Sequence, residues 1–452
     1  MRRSRGILAG PMTSGTDPRA IYGTRFACAC GRTHEITPKA VVFTDDAIER
    51  MASACAEITS GRECVVIDDV RTREVAGDEV ARAMADGGWG VRRLLLEDPG
   101  PGRDPVCDDL THDRLLPQVE GADLVLPVGS GVINDLGKWL AHDIGASYVT
   151  FATAASMNGY TSANVAPKIA GVKSLVRAQP PVLAFSRPRV IAEAPYEMTV
   201  SGLGDVLAKS VSSADWYLNH ALFGDYYCAR SVGLVAELEP LYLEHPQRIR
   251  AREEGALAAM FDALMLTGVA MTMVGTSAPA SGGEHLISHS LDMLSAIDGR
   301  PHDFHGRQVG VGTILCAELY RRVLAIESPQ LGEAPAAITS ELWGELADEV
   351  ARNYASKRDR LQQVATILGE GDRWDRLREQ LAAMVRTPET LHGCLAAAGG
   401  AVEAEDIGCD AERLTTAFVH GHEIRARFTI LDLAYVLGLM PGVAGEIVEQ
   451  WA

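Results

Sequence analysis

The chain has 452 residues, 47% of them hydrophobic and 23% charged, a balance that excludes a disordered or low-complexity protein. A formal net charge of −18 excludes a basic surface for nucleic acid, because such a field repels a phosphate backbone. Nine scattered cysteines, an odd number, speak for reduced thiols in a cytoplasm and against a disulfide framework.

The first stretch, MRRSRGILAGPM, carries arginines but no apolar run of signal-peptide length. No run of about 18 apolar residues stands out, so no membrane span is expected. Next comes CACGRTHE at 28–35. Cys28, Cys30 and His34 can bind zinc, but C-x-C-x3-H offers no fourth ligand nearby, so a buried turn is the favoured reading.

From there short apolar runs alternate with helical patterns. CVVID (64–68) reads as a buried strand, DEVARAMADGGWG (78–90) as a helix stopped by glycines, and VRRLLLED (91–98) as a second strand. PGPGRDP (99–105) is a loop. DLVLPVGSG (123–131) is a strand running into a glycine turn, VINDLGKWLAHDIG (132–145) an amphipathic helix, and SYVTFATA (147–154) another strand. Strand–helix alternation implies a parallel sheet, hence an α/β, Rossmann-like nucleotide-binding domain over residues 1–194.

After QPPVLAFSRPRV (179–190) clear strands stop, and residues 195–452 are expected to form an all-α domain. EGALAAMFDALMLTGVAMTMVG (254–275) is apolar nearly all round and reads as a buried helix. SELWGELADEVARNYASKRDRLQQVATIL (340–368) is charged and amphipathic, and is expected to be more exposed.

Five segments can carry chemistry. In LVLPVGSGVINDLGKW, Gly129-Ser130-Gly131 joins a strand to a helix whose N-terminus offers free N–H groups, a setting for a diphosphate. A plain tight turn fits as well, and Asn134 departs from G-x-G-x-x-G. Asp68 and Asp69 end a strand, where a carboxylate can hold ribose hydroxyls or simply cap the turn. In SGLGDVLAKSVSSADW, a helix beginning after a glycine, Asp205 and Lys209 lie four apart. They form either a surface ion pair or, given the apolar neighbours Leu203, Val206, Leu207 and Val211, a buried carboxylate that wants a cation. In SGGEHLISHSLDML, His285 and His289 lie one helical turn apart, and RPHDFHGRQVGVG adds His302 and His305. One histidine alone is usually a satisfied core residue; four in about 20 residues beside a buried aspartate point to a metal.

GSGVIND, TAASMNGYTS, SGLGDVLAKSVSSADW, SGGEHLISH and FHGRQVG occur in the same order as in the glycerol-1-phosphate dehydrogenases. From about residue 40 to the C-terminus, where HEIRARFTILDLA also fits, the chain resembles that family, part of the metal-dependent alcohol dehydrogenase and dehydroquinate synthase-like superfamily.

The resemblance implies a metal held by Asp205, His285 and His305, with His289 touching substrate and Lys209 helping to hold a substrate phosphate. It implies a nicotinamide cofactor, NAD(H) or NADP(H), contacted by Gly129, Ser130, Gly131, Val132, Ile133, Thr153, Ser156 and Ser162, with Asp69 near the adenine ribose. Asp205, His289 and Lys209 would be the catalytic set. One position departs: Asn158 stands where the family usually has an aspartate that contacts substrate. The expected activity interconverts glycerol 1-phosphate and dihydroxyacetone phosphate with one divalent metal, zinc or nickel before iron. The alternatives are a same-fold dehydrogenase for another polyol or aldehyde, a dehydroquinate synthase-like lyase, and a binder without turnover. A cytoplasmic homo-oligomer acting on a small phosphorylated polyol or ketone is the expected setting.

Overall fold

The computed structural model describes residues 17–100, 103–169 and 172–452. The MRRSRGILAGPM stretch and residues 101–102 of the 99–105 loop lie outside them.

Six parallel strands form the sheet: β1 (Ala40–Phe43), β2 (Glu63–Asp69), β3 (Gly90–Leu96), β4 (Leu124–Gly129), β5 (Ser147–Ala152) and β6 (Leu183–Ser186). Their spatial order is β1-β6-β5-β4-β2-β3. The inner strands β2, β4, β5 and β6 are almost wholly buried and rich in Val, Ile, Leu and Phe, as strands covered on both faces require, while the edge strand β3 (GVRRLLL) is partly exposed. Helices α1 (Ala47–Ala56), α2 (Asp78–Asp86), α3 (Asp109–Val119) and α4 (Gly131–Ile144) supply the crossovers. The α2 helix stops at the glycines, as expected: Gly87 and Gly88 follow its last residue, the latter at φ +85°.

After β2 the chain steps outward to β3; after β4 it steps the other way to β5. The order reverses between β2 and β4, which lie side by side with Ile67 opposite Pro127. Ligands of open α/β sheets sit at the carboxyl ends of the strands where this happens. Asp69 and Gly129 are the residues that end these two strands.

No strand follows Ser186 among the described residues. The elements that build the site are α5 (Tyr196–Leu207), α6 (Lys209–Phe223), α7 (Glu254–Val274), α8 (Gly283–Asp298) and α9 (His305–Leu324). By length and composition α7 qualifies to cross a membrane, yet 89% of its apolar window is buried inside the protein. The 340–368 segment is not one exposed helix. It breaks into Ser340–Trp343, Ala347–Ala355 and Arg358–Leu368. Lys357, at one break, is fully buried and pairs with Asp432 at 2.7 Å. Residue 194 falls in the turn before α5, but residues 17–36 lean on the helical half: Arg19 pairs with Asp262, and His34 reaches the Met273 carbonyl at 2.9 Å.

Helices α5 and α9 cross in near backbone contact. A Cβ on Gly204 would lie 2.0 Å from the Gly306 carbonyl oxygen, and one on Gly306 would lie 1.9 Å from that of Ser201. Only glycine allows this approach, and it brings Asp205 beside His305. Gly204→Ala is expected to cost about 1–3 kcal/mol by overpacking and to weaken divalent-metal binding by parting the two helices. An unchanged melting temperature and metal affinity would show that the crossing is slack.

Candidate metal and cofactor site

Asp205 is 2% exposed on α5. Its two oxygens accept from Asn158, one from the backbone N–H at 2.7 Å and one from Nδ2 at 2.8 Å. His285, on the first turn of α8, brings Nε2 to 3.5 Å from Asp205 Oδ1. Its Nδ1 meets Glu284 Oε1 at 2.8 Å. A carboxylate can only accept here, so Nδ1 carries a proton, and Nε2 is the ring atom turned toward Asp205. Metal-binding histidines are oriented by a carboxylate in this way. Burial alone would lower the His285 pKa, but the Asp205 and Glu284 carboxylates outweigh it and raise it to about 9. His305 starts α9, with Nδ1 3.2 Å from Ser288 Oγ. One ligand atom each from Asp205, His285 and His305 lie within 4.8 Å of one another. One oxygen and two nitrogens converging this way fit a divalent cation with coordination positions left open.

His289 stands beside this trio. Its ring lies 6.1 Å from that of His285 and 5.5 Å from that of His305. It lines a small cavity with Met293, Glu349, Val350, Asn353, Ile424 and Arg425. His302 does not join them; its Nδ1 lies 3.4 Å from Asp292. The ion pair between Asp205 and Lys209 does not form either. The helix starts well before the glycines, at Tyr196, and breaks at Ala208, so Lys209 opens α6. Its Nζ is buried and, among the described residues, has no hydrogen-bond partner. Burial pulls the Lys209 ammonium down to about 8, against the attraction of Glu239.

On the other half, β4 runs into the glycine turn, and Ser130 precedes α4 without a side-chain cap. A Cβ on Gly131 would meet nothing within 4 Å, so open space lies before the helix N-terminus. Val132 is half-buried and Ile133 is buried. Asn134 departs from the glycine of the usual motif because it is structural: its side-chain oxygen accepts from Tyr148 and, at 3.1 Å, from Thr150, both on β5. Thr153 N–H donates to the Gly129 carbonyl at 3.1 Å, and Ser130 and Ser156 share a 2.5 Å hydrogen bond. Ser162 is turned inward, within 3.0 Å of the Gly159 carbonyl and 3.4 Å of Lys138 Nζ. Asp69 caps the turn after β2, accepting from Thr72 N–H at 2.7 Å, with Arg71 3.3 Å away.

The segment 153–162 links the two halves. Ser156 bonds the glycine turn, the Ser156 carbonyl accepts from Ser201 on α5, and Asn158 grips Asp205. Several positioning residues escaped the sequence reading. Lys138, fully buried, donates to the Gly159 and Asn164 carbonyls at 2.7 and 3.0 Å and pins that segment. Asp215 accepts from the N–H groups of Gly283 and Ile430 at 2.7 and 2.8 Å and anchors the start of α8. Burial, helped by the nearby Glu284, pushes the Asp215 carboxyl up to about 7. Arg425 is half-buried, and among the described residues no carboxylate comes within ion-pair distance of it. Burial lowers its pKa against the pull of Glu349. The signals were the lysine after Gly137 and the arginines of HEIRARF, but neither pattern names its partner.

A parallel sheet with an open glycine turn, facing a helical half that gathers one carboxylate and two imidazoles, is the architecture of a metal-dependent, dinucleotide-linked dehydrogenase. Residues 42–195 match the iron-containing alcohol dehydrogenase family. The glycerol dehydrogenase of Schizosaccharomyces pombe superposes with a TM-score of 0.58 at 15% identity, covering 91% of this chain and 90% of that one. The maleylacetate reductase of Agrobacterium tumefaciens gives 0.59 at 15%, covering 91% and 95%. The glycerol-1-phosphate dehydrogenase [NAD(P)+] of Bacillus licheniformis is 27% identical over 94% of this chain and 96% of its own length. That of Thermococcus kodakarensis is 34% identical over 63% of this chain and 78% of its own. The chain belongs to the glycerol-1-phosphate dehydrogenase family.

Proposed function

We propose that this protein is an NAD(P)-linked, metal-dependent oxidoreductase that interconverts glycerol 1-phosphate and dihydroxyacetone phosphate. The observation that carries the reading is the convergence of Asp205, His285 and His305, joined by residues 153–162 to the glycine turn.

Asp205, His285 and His305 would hold the metal, zinc or nickel before iron, since this donor set accepts each of them. A bound cation supplies Lewis acidity to the substrate oxygen and the nicotinamide takes or gives the hydride. Glu284 holds the His285 tautomer, and Asn158 holds the Asp205 carboxylate in one orientation. The turn from Gly129 to Ile133, with Thr153 and Ser156, would cradle the cofactor diphosphate at the free N–H groups of α4. Asp69 ends the neighbouring strand and would lie near the adenine ribose, though its carboxylate already caps the turn and touches Arg71. Ser162 would act by shaping its loop with Lys138. His289, beside the three ligands, would face the substrate and hold or move a proton at its ring. Arg425, in the same cavity as His289, is the stronger candidate for the substrate phosphate; Lys209 is a second buried cation, one turn beyond Asp205.

The test mixes purified protein, a divalent metal, NADH or NADPH and dihydroxyacetone phosphate, and follows the nicotinamide absorbance. Oxidation abolished by chelator supports the reading. Turnover confined to an unphosphorylated carbonyl supports the second reading, a same-fold dehydrogenase for another polyol or aldehyde, which Asn158 favours by removing a charge from the substrate side. Arg425→Met separates the two further. Losing a charge-assisted hydrogen bond costs about 1.5–3 kcal/mol, so KM for the phosphorylated ketone is expected to rise about tenfold to hundredfold, with kcat changed less. Equal losses with dihydroxyacetone would remove Arg425 from the phosphate.

A further inference from the structure

A second cluster of soft ligands lies away from this site, where the N-terminal hairpin meets the helical half. We propose that Cys28, Cys30, His34 and Cys228 form a structural zinc site that staples the hairpin Arg25–Glu35 to the segment between α6 and the helix Ala229–Val232.

The sequence offered only C-x-C-x3-H; the fold supplies the missing ligand from nearly 200 residues away. One ligand atom from each of the four residues lies within 4.8 Å of the others. A tetrahedral zinc with Zn–S near 2.3 Å and Zn–N near 2.0 Å sets sulfur–sulfur edges of about 3.8 Å and sulfur–nitrogen edges of about 3.5 Å. Cys28 Sγ and Cys228 Sγ are 3.8 Å apart. His34 Nε2 lies 3.7 Å from Cys228 Sγ and 3.2 Å from Cys30 Sγ. The cage therefore has the size of a zinc tetrahedron before any ion is placed in it. A disulfide, at about 2.05 Å, does not describe the pair.

The surroundings orient these ligands. His34 Nδ1 bonds the Met273 carbonyl at 2.9 Å. A carbonyl only accepts, so Nδ1 carries the hydrogen and Nε2 presents its lone pair to the sulfurs. That is the arrangement expected of a metal-binding imidazole. Tyr226 Oη lies 3.2 Å from Cys30 Sγ, placed to donate to a thiolate. The Cys28–Gly31 turn closes through Gly31 N–H to the Cys28 carbonyl at 3.0 Å, with Gly31 at φ +85°. His34 and Cys228 are buried, 2% and 0% exposed, so the cage is closed on its protein side. Without a cation, three thiols would compete for one imidazole lone pair.

The hairpin also needs a staple. Its strands, Arg25–Ala27 and Thr33–Glu35, are three residues each and bury one side chain fully. Two strands that short have no stability of their own.

Cobalt(II) is the probe. The catalytic cluster has no sulfur, so a thiolate-to-cobalt charge-transfer band reports the second cage alone. Cobalt-loaded full-length protein is expected to show the band, and Asp205→Ala to keep it. Cys228→Ser and Cys30→Ser are each expected to lose most of it. Zinc measured on the Asp205→Ala protein should be about one per chain and fall toward none when Cys228→Ser is added. If the cysteine variants do not fold, zinc-edge X-ray absorption on the Asp205→Ala protein decides, with three sulfurs and one nitrogen expected. Absence of the band, a band that survives Cys228→Ser, or a Cys28–Cys228 disulfide found by mass would each overturn the proposal.

Discussion

Asp205→Ala and His285→Ala each lose one bound metal per chain and the dehydrogenase activity with it. Three protein ligands leave an open catalytic site no spare donor. In the alanine variants the remaining two face a cation with too little charge or too few lone pairs. Loss of a residue that merely orients a ligand costs about 10–100-fold in metal affinity or activity; loss of a ligand itself is expected to exceed that range. Glu284→Gln should therefore fall within it, because glutamine still reaches His285 Nδ1 but without charge. The measurements are metal content after dialysis, counted against the unmutated protein, and the rate of NADH or NADPH oxidation with dihydroxyacetone phosphate. Unchanged circular dichroism separates loss of the site from loss of the fold. Either alanine variant that retained both the metal and turnover would refute the ligand set.

The sequence carried the skeleton of this site because its local signals were strong. The β4 run followed by Gly-Ser-Gly needs only nearest-neighbour geometry to be recognised, and histidines one turn apart on an apolar helix share a face by helical periodicity alone. Three kinds of fact were illegible. His302 and His305 are three residues apart and look alike as text; only the start of α9 at His305 sends one ring to Asp205 and leaves the other beside Asp292. The helix holding Asp205 and Lys209 reads as continuous, yet it breaks at Ala208 and spoils the four-residue pairing. The remaining facts are long-range pairings: Asn158 with Asp205, Asp215 with Gly283, Cys228 with His34. No periodicity encodes which distant residues meet. Lys357, buried within a charged stretch, failed for the same reason, since its partner Asp432 comes from another helix.

The second large effect concerns Asn158, the residue that departs from the family pattern. Its amide donates to Asp205 Oδ1 at 2.8 Å, so in the metal-free protein it neutralises part of the demand of a buried carboxylate. Asn158→Asp replaces that donor with a second carboxylate at the same distance. The exchange forfeits a hydrogen bond to a charged group, worth about 1.5–3 kcal/mol, and adds like-charge repulsion in a site with little water. The metal-free variant is therefore expected to melt several degrees below the unmutated protein. Asn158→Ala, which loses the bond without adding charge, should fall between them. Saturating zinc or nickel should reverse much of the gap for Asn158→Asp and little of it for Asn158→Ala, because a cation between two carboxylates turns their repulsion into attraction for itself. Melting curves of the three proteins with chelator and with metal make the comparison. Equal melting temperatures under chelator would mean that Asn158 does not hold Asp205, and the gap would have to close selectively on metal addition for the carboxylate to belong to a metal site at all.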